Sequence, residues 1–261
     1  MAEQRRRDSF SGEGGVEIHW QCWLPEVKPR AAVVIAHGVS EHSDRYSHVA
    51  ARLVREGFAA YALDHRGHGD SEGPRAVIDR LSNAVEDVDT LVGIARDENP
   101  GVPVFLLGHS MGGAIAVEYA INRQDHIDAL AVSAPATDLD AASRLELAAS
   151  RVLSAVAPKA GVFKVDAEGV SRDPQVVRDY VEDPRVFHGK LPARTVSEIA
   201  QAVQTMPERV PGIRLPLLVM LGTADPIVPP RAGRMVHELA GSPDKKLIEY
   251  DLCASVPSRA L

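Results

Sequence analysis

Residues 104–113 read VFLLGHSMGG, and this stretch decides the fold. Four apolar residues of strand character run into Gly108-His109-Ser110-Met111-Gly112, and an alanine-rich segment of helical character follows over 111–122. Glycines two before and two after a serine suit a sharp strand-to-helix turn, because they allow both the bend and the close approach of helix to strand. The turn lifts the serine oxygen clear of the sheet, and the helix N-terminus favours negative charge developing beside it. Gly-x-Ser-x-Gly alone is a weak pattern. With a strand before it and a helix after it, the motif marks Ser110 as a candidate nucleophile.

Outward from this turn, strands and helices alternate. Residues 31–36 (AAVVIA) and 58–63 are apolar runs, as in parallel strands covered on both faces. Val16, Ile18, Trp20 and Cys22 alternate with polar residues and predict a half-buried edge strand. Helices are expected over 46–56 and 81–96, the latter with Val85, Val88, Leu91, Val92 and Ala95 at helical spacing, and strands over 104–107 and 127–132. The alternation breaks between 136 and 210, a charged, proline-dotted stretch of helical tendency with no convincing apolar strand. It resumes with a strand at 217–221, a helix near 231–240 and a strand at 246–250. The pattern predicts an α/β fold over 1–261: one domain with a mostly parallel central sheet, flanking helices and a helical cap inserted at 136–210.

Two further segments carry candidate chemistry. His37-Gly38-Val39 follows the run AAVVIA directly. In folds with this nucleophile turn, an amide from that loop joins the amide after the serine to form the oxyanion hole, which here pairs Val39 with Met111. His37 itself reads as structural. Asp225, in GTADPIVPP just past a predicted strand, is the candidate acid to orient a histidine and stabilise its cation. Asp138 is its rival, and a plain helix-capping role for Asp225 is the alternative.

Composition narrows the partners. The 261 residues are 45% hydrophobic and carry a formal net charge of -7, so no basic footprint points to nucleic acid. Two distant cysteines, Cys22 and Cys253, make neither a disulfide framework nor a zinc site. The N-terminal MAEQRRRDSFSGEGG has no apolar run of a secretory signal, and no stretch reaches the roughly 20 apolar residues of a membrane span. A cytoplasmic or membrane-peripheral location is expected. His37, His65 and His68 lack companion carboxylates or cysteines at ligand spacing, and acyl transfer by a serine needs neither metal nor organic cofactor.

HGVSEHSDRY (37–46), DHRGHGDSEGPR (64–75), GHSMGG (108–113) and GTADPIVPP (222–230) together resemble the monoacylglycerol lipase group of the α/β-hydrolases, bacterial members especially. The segment SRDPQVVRDYVEDPRVFHGK (171–190) is similar to that family's lid. The resemblance runs from about 10 to 250. It implies a serine carboxylester hydrolase acting on monoacylglycerols, with a lid that makes transient contact with membrane surfaces and loop 64–73 structural. A lysophospholipase or other esterase, a peptidase, and a catalytically impaired lipid-binding protein are the other readings.

The resemblance also implies a histidine about thirty residues beyond the acid and a closing helix after 250. The position falls near Ser255, in YDLCASVP, and His237, the one histidine after Asp225, lies within a predicted helix. No other histidine stands at the expected place, so weak or absent turnover is expected, with a frame change or truncation near Leu252 as its source. Confirmation of the same reading frame and stop codon in close relatives would overturn that source.

Overall fold

The computed structural model describes residues 4–138 and 151–251. Its strands are β1 (Gln4–Ser11), β2 (Glu17–Leu24), β3 (Ala32–Ala36), β4 (Ala59–Leu63), β5 (Val104–His109), β6 (Ala129–Ser133), β7 (Gly161–Phe163), β8 (Leu191–Pro192), β9 (Leu217–Gly222) and β10 (Lys245–Tyr250). Eight of them form one sheet in the order β1-β2-β4-β3-β5-β6-β9-β10. From β4 to β10 neighbours run parallel; β1 and β2 are antiparallel additions.

The apolar runs divide by parity. Val34 of β3 and Val104 and Leu106 of β5 face one core, whereas Val33, Ile35 and Leu107 face the other. Helices α2 (Leu81–Glu98), α3 (Met111–Arg123), α5 (Ala193–Arg209) and α6 (Pro230–Leu239) contribute to the first core through residues such as Leu91, Ile115, Met206 and Val236. Helix α1 (Ser47–Arg55) covers the second through Val49, Ala50 and Val54. Successive strand side chains point to opposite faces, so an unbroken apolar run needs cover on both.

Two expectations are corrected. Strand β2 is not at the edge, because β1 pairs with it over eight residues from Gln4↔Leu24 to Ser11↔Glu17. β1 carries no apolar alternation; Arg5 lies over Trp23 (5.3 Å) and Arg6 over Trp20 (5.0 Å), so cation–π contacts replace apolar packing. The segment expected to lack strands holds the short antiparallel pair β7–β8 as well as a helix, α4 (Pro174–Glu182). Within the same segment, α5 packs on α2 and α3 and is tied to the loop after β4, where Thr195 Oγ1 accepts from the Ile78 amide (2.9 Å) and donates to the Ala76 carbonyl (2.6 Å).

The loop after β4 is pinned by a buried ion pair. Arg66 Nε and Nη2 donate to the two carboxylate oxygens of Asp87 on α2 at 2.8 and 2.9 Å, and both side chains are almost fully enclosed. Removing one partner strands the other's charge away from water. Asp87→Ala is expected to destabilise the protein by about 3–5 kcal/mol, read as a lowered urea midpoint with unchanged slope.

Candidate active site

Ser110 sits between the last residue of β5 and the first of α3, with φ 52° and ψ −117°. A non-glycine residue there costs about 1–3 kcal/mol, and its surroundings hold it in place. The Ser110 amide donates to the Ser133 carbonyl (3.0 Å), and its own carbonyl accepts from the Ala114 and Ala136 amides (both 3.0 Å). The start of α3 presses against the end of β3: a β-carbon on Gly112 would collide with the Ala36 and His37 carbonyl oxygens. The loop after β3 is thereby brought against the nucleophile turn, and a β-carbon on Gly38 would stand 3.3 Å from that of Ser110.

Val39 and Met111 flank this junction, and neither amide has an acceptor among the described residues. The loop bearing Val39 is braced by groups that sequence reading passed over. Glu41 Oε1 accepts from the Gly38 amide and from Tyr46 Oη, both at 2.7 Å, while its Oε2 accepts from Arg45 Nε at 3.2 Å. Burial alone would raise the Glu41 carboxyl, but His109 and the Arg45 guanidinium beside it hold it below its ordinary value. The sequence signal was an acid three residues after Gly38, meaningful only once the loop is known to turn back on itself.

His37 Nε2 accepts from the His65 amide (2.9 Å), so its proton is on Nδ1, donated to the Gly38 carbonyl (2.7 Å). His65 and His68 pack around it, ring centroids 4.5 and 5.5 Å away. Burial lowers all three, His68 to about 3. Among the described residues, no group of three His, Cys, Asp or Glu side chains could hold a metal ion.

Asp225 lies past β9, on the same sheet edge as Ser110 with β6 between their strands. Its Oδ1 accepts from the Ile227 and Val228 amides at 2.8 and 2.9 Å. Burial raises this carboxyl above its ordinary value despite those two amides and the nearby His109. Asp138 instead pairs with Arg231 Nε at 2.5 Å, partly exposed. His237 belongs to the last turn of α6, and His109 Nδ1 lies 3.1 Å from the Ser133 carbonyl oxygen. The position near Ser255, where a histidine was expected, and the closing helix after 250 lie outside the described residues.

Residues 27–254 match the family described as serine aminopeptidase, S33. The chain is 43% identical over 251 residues to a monoacylglycerol lipase of Mycolicibacterium smegmatis, covering 96% of this chain and 90% of that protein. It is 34% identical over 239 residues to the monoglyceride lipase of Homo sapiens, covering 91% and 79%. A crystal structure of Paleococcus ferrophilus monoacylglycerol lipase superposes with a TM-score of 0.78 at 29% identity, covering 97% of this chain and 90% of that one. The α/β-hydrolase fold is thus established.

The buried histidines give the site a pH signature. His37, His65 and His68 resist protonation in the folded protein but take up protons near 6.5 once unfolded. The unfolded chain therefore binds more protons below that pH. Stability should be full above it and fall as pH drops toward about 3, where His68 protonates in the fold. Urea midpoints measured across this range should decline steadily, and His68→Gln should make the decline shallower.

Proposed function

The chain belongs to the serine aminopeptidase S33 family and is a serine hydrolase of the monoglyceride lipase type, and on that footing we propose that Ser110 is its nucleophile. The observation that carries this reading is the strained Ser110 turn seated against the unengaged amides of Val39 and Met111. Ser110 Oγ attacks the ester carbonyl carbon of a monoacylglycerol and gives up its proton. The carbonyl oxygen becomes an oxyanion held by the two amides. As the carbon–oxygen bond to glycerol breaks, glycerol leaves with a proton and the acyl group stays on Ser110. Water then attacks this acyl-enzyme, and fatty acid departs.

Asp225 is the acid of this scheme. Its Oδ1 is engaged by two amides, which fixes the carboxylate and leaves Oδ2 to orient a base. In the 261-residue sequence the place of that base holds no histidine. Water must then take the Ser110 proton, and loss of one triad member costs on the order of a millionfold in rate. Oxyanion and binding contributions leave roughly a thousandfold over water.

We read 136–210 as the cap. The described part of it exposes Val152, Val156, Val162, Phe163 and Val181. Arg151, Lys159 and Lys164 stand among them, a composition suited to transient contact with a lipid surface from a cytoplasmic, membrane-peripheral position. No helix among the described residues is long and apolar enough to cross a membrane.

Covalent labelling tests the reading. A fluorophosphonate should modify Ser110 slowly and Ser110→Ala not at all, while monoacylglycerol turnover stays orders of magnitude below the about 10 per second typical of enzymes. Lipase-like turnover by the 261-residue chain would refute the missing-base argument. Faster cleavage of lysophospholipids or peptides would redirect the substrate, and binding without labelling would leave a lipid-binding protein.

A further inference from the structure

Three arginines from two distant parts of the chain converge on one carboxylate. Asp44, in the loop that follows β3, forms an ion pair with Arg5 of β1, accepts from Arg7 Nη2 of β1 at 2.8 Å, and lies 2.8 Å from Arg185 Nη1 of the cap. The Arg185 carbonyl accepts in turn from Arg75 Nη2 at 2.6 Å, on the loop after β4. Two residues on, the Phe187 amide donates to the Ser40 carbonyl at 2.8 Å. Ser40 directly follows Val39 and holds a left-handed backbone, φ 70°. One residue beyond Asp44, the Arg45 guanidinium lies over the Tyr180 ring of α4, 5.0 Å from its centroid.

We propose that Asp44 is a positioning residue: it pins cap residues 183–188 and strand β1 onto the oxyanion loop, and salt concentration sets how firmly Val39 is held. This rests on the reading of Ser110 and Val39 given above. Without Asp44, three guanidinium groups face one another. The carboxylates within reach of Arg185 are then Asp70 (3.6 Å) and Asp183 (3.9 Å), and Asp183 is already paired with His42 at 2.8 Å. Repulsion displaces Arg185 and draws the Phe187 amide from Ser40, so the loop carrying Val39 loses a backbone restraint. The arginine side chains are between a third and a half exposed (34% to 49%), so added salt weakens the pin in the intact protein too.

Hydrogen exchange and fluorophosphonate labelling of wild type, Asp44→Asn, Asp44→Glu and Arg185→Gln, each at low and high salt, test the pin. In Asp44→Asn and Arg185→Gln the Phe187 amide should exchange about tenfold faster while the Leu106 amide of β5 is unchanged, which separates loosening of the pin from general instability. The maximal labelling rate should fall severalfold at an unchanged half-saturating probe concentration. Salt should slow wild-type labelling but not that of the two variants, and Asp44→Glu should restore both readouts. Unchanged Phe187 exchange in both variants, or equal salt dependence throughout, would overturn the proposal. Exchange shifting as described with no adduct on wild type would support the pin and refute the nucleophile reading instead.

Discussion

The catalytic edge depends on how closely α3 can approach the end of β3. At Gly112 the helix backbone lies so near the Ala36 and His37 carbonyls that any side chain would force the two apart. That approach presents Val39 beside Met111, seats Gly38 next to Ser110 and obliges Ser110 to take its strained conformation. The strain is held by backbone bonds to the two neighbouring segments, from Ser133 on β6 and from Ala136 just beyond it. A single methyl group on α3 would therefore be felt at two candidate oxyanion donors and a nucleophile together.

A second layer of constraint is polar and buried. Glu41, His37 and Asp64 all spend hydrogen-bonding capacity on backbone amides: those of Gly38, His65, and Ser43 with Asp70, respectively. These amides lie in the loops after β3 and β4, which otherwise have little regular structure to satisfy them. The loops are consequently as defined as the strands that carry them, even though their sequence looks like ordinary polar turn. The neutral histidines extend this layer, stacking edge to face where charged side chains would be costly.

What could be read beforehand followed physical locality. The nucleophile turn, the strands β3, β4, β5 and β9, and the helices α1, α2 and α3 were legible because their periodicity and turn chemistry are contained in short windows. Strand β1 was not: Arg5, Arg6 and Arg7 read as a charged terminus until Trp20 and Trp23 are known to lie opposite. The β7–β8 pair is three residues against two, too short for an alternation to register. Arg45 and Asp44 gained meaning only from partners met in space, Tyr180 and Arg185, more than a hundred positions away. Asp225 and Asp138 could not be separated by pattern alone; the ion pair of Asp138 with Arg231 distinguishes their surroundings.

The outermost strand has one more consequence. An eight-stranded open sheet ends in a row of unpaired amides and carbonyls, an invitation for a like chain to add its own strand. Here the first four residues of that border, Gln4 to Arg7, are all exposed, and three of them are arginines. A second molecule aligning its β1 against the first would crowd arginines already engaged by Asp44 and Glu98. The same side chains that cover two tryptophans thus also make this border a charged one, which an added strand would have to accommodate.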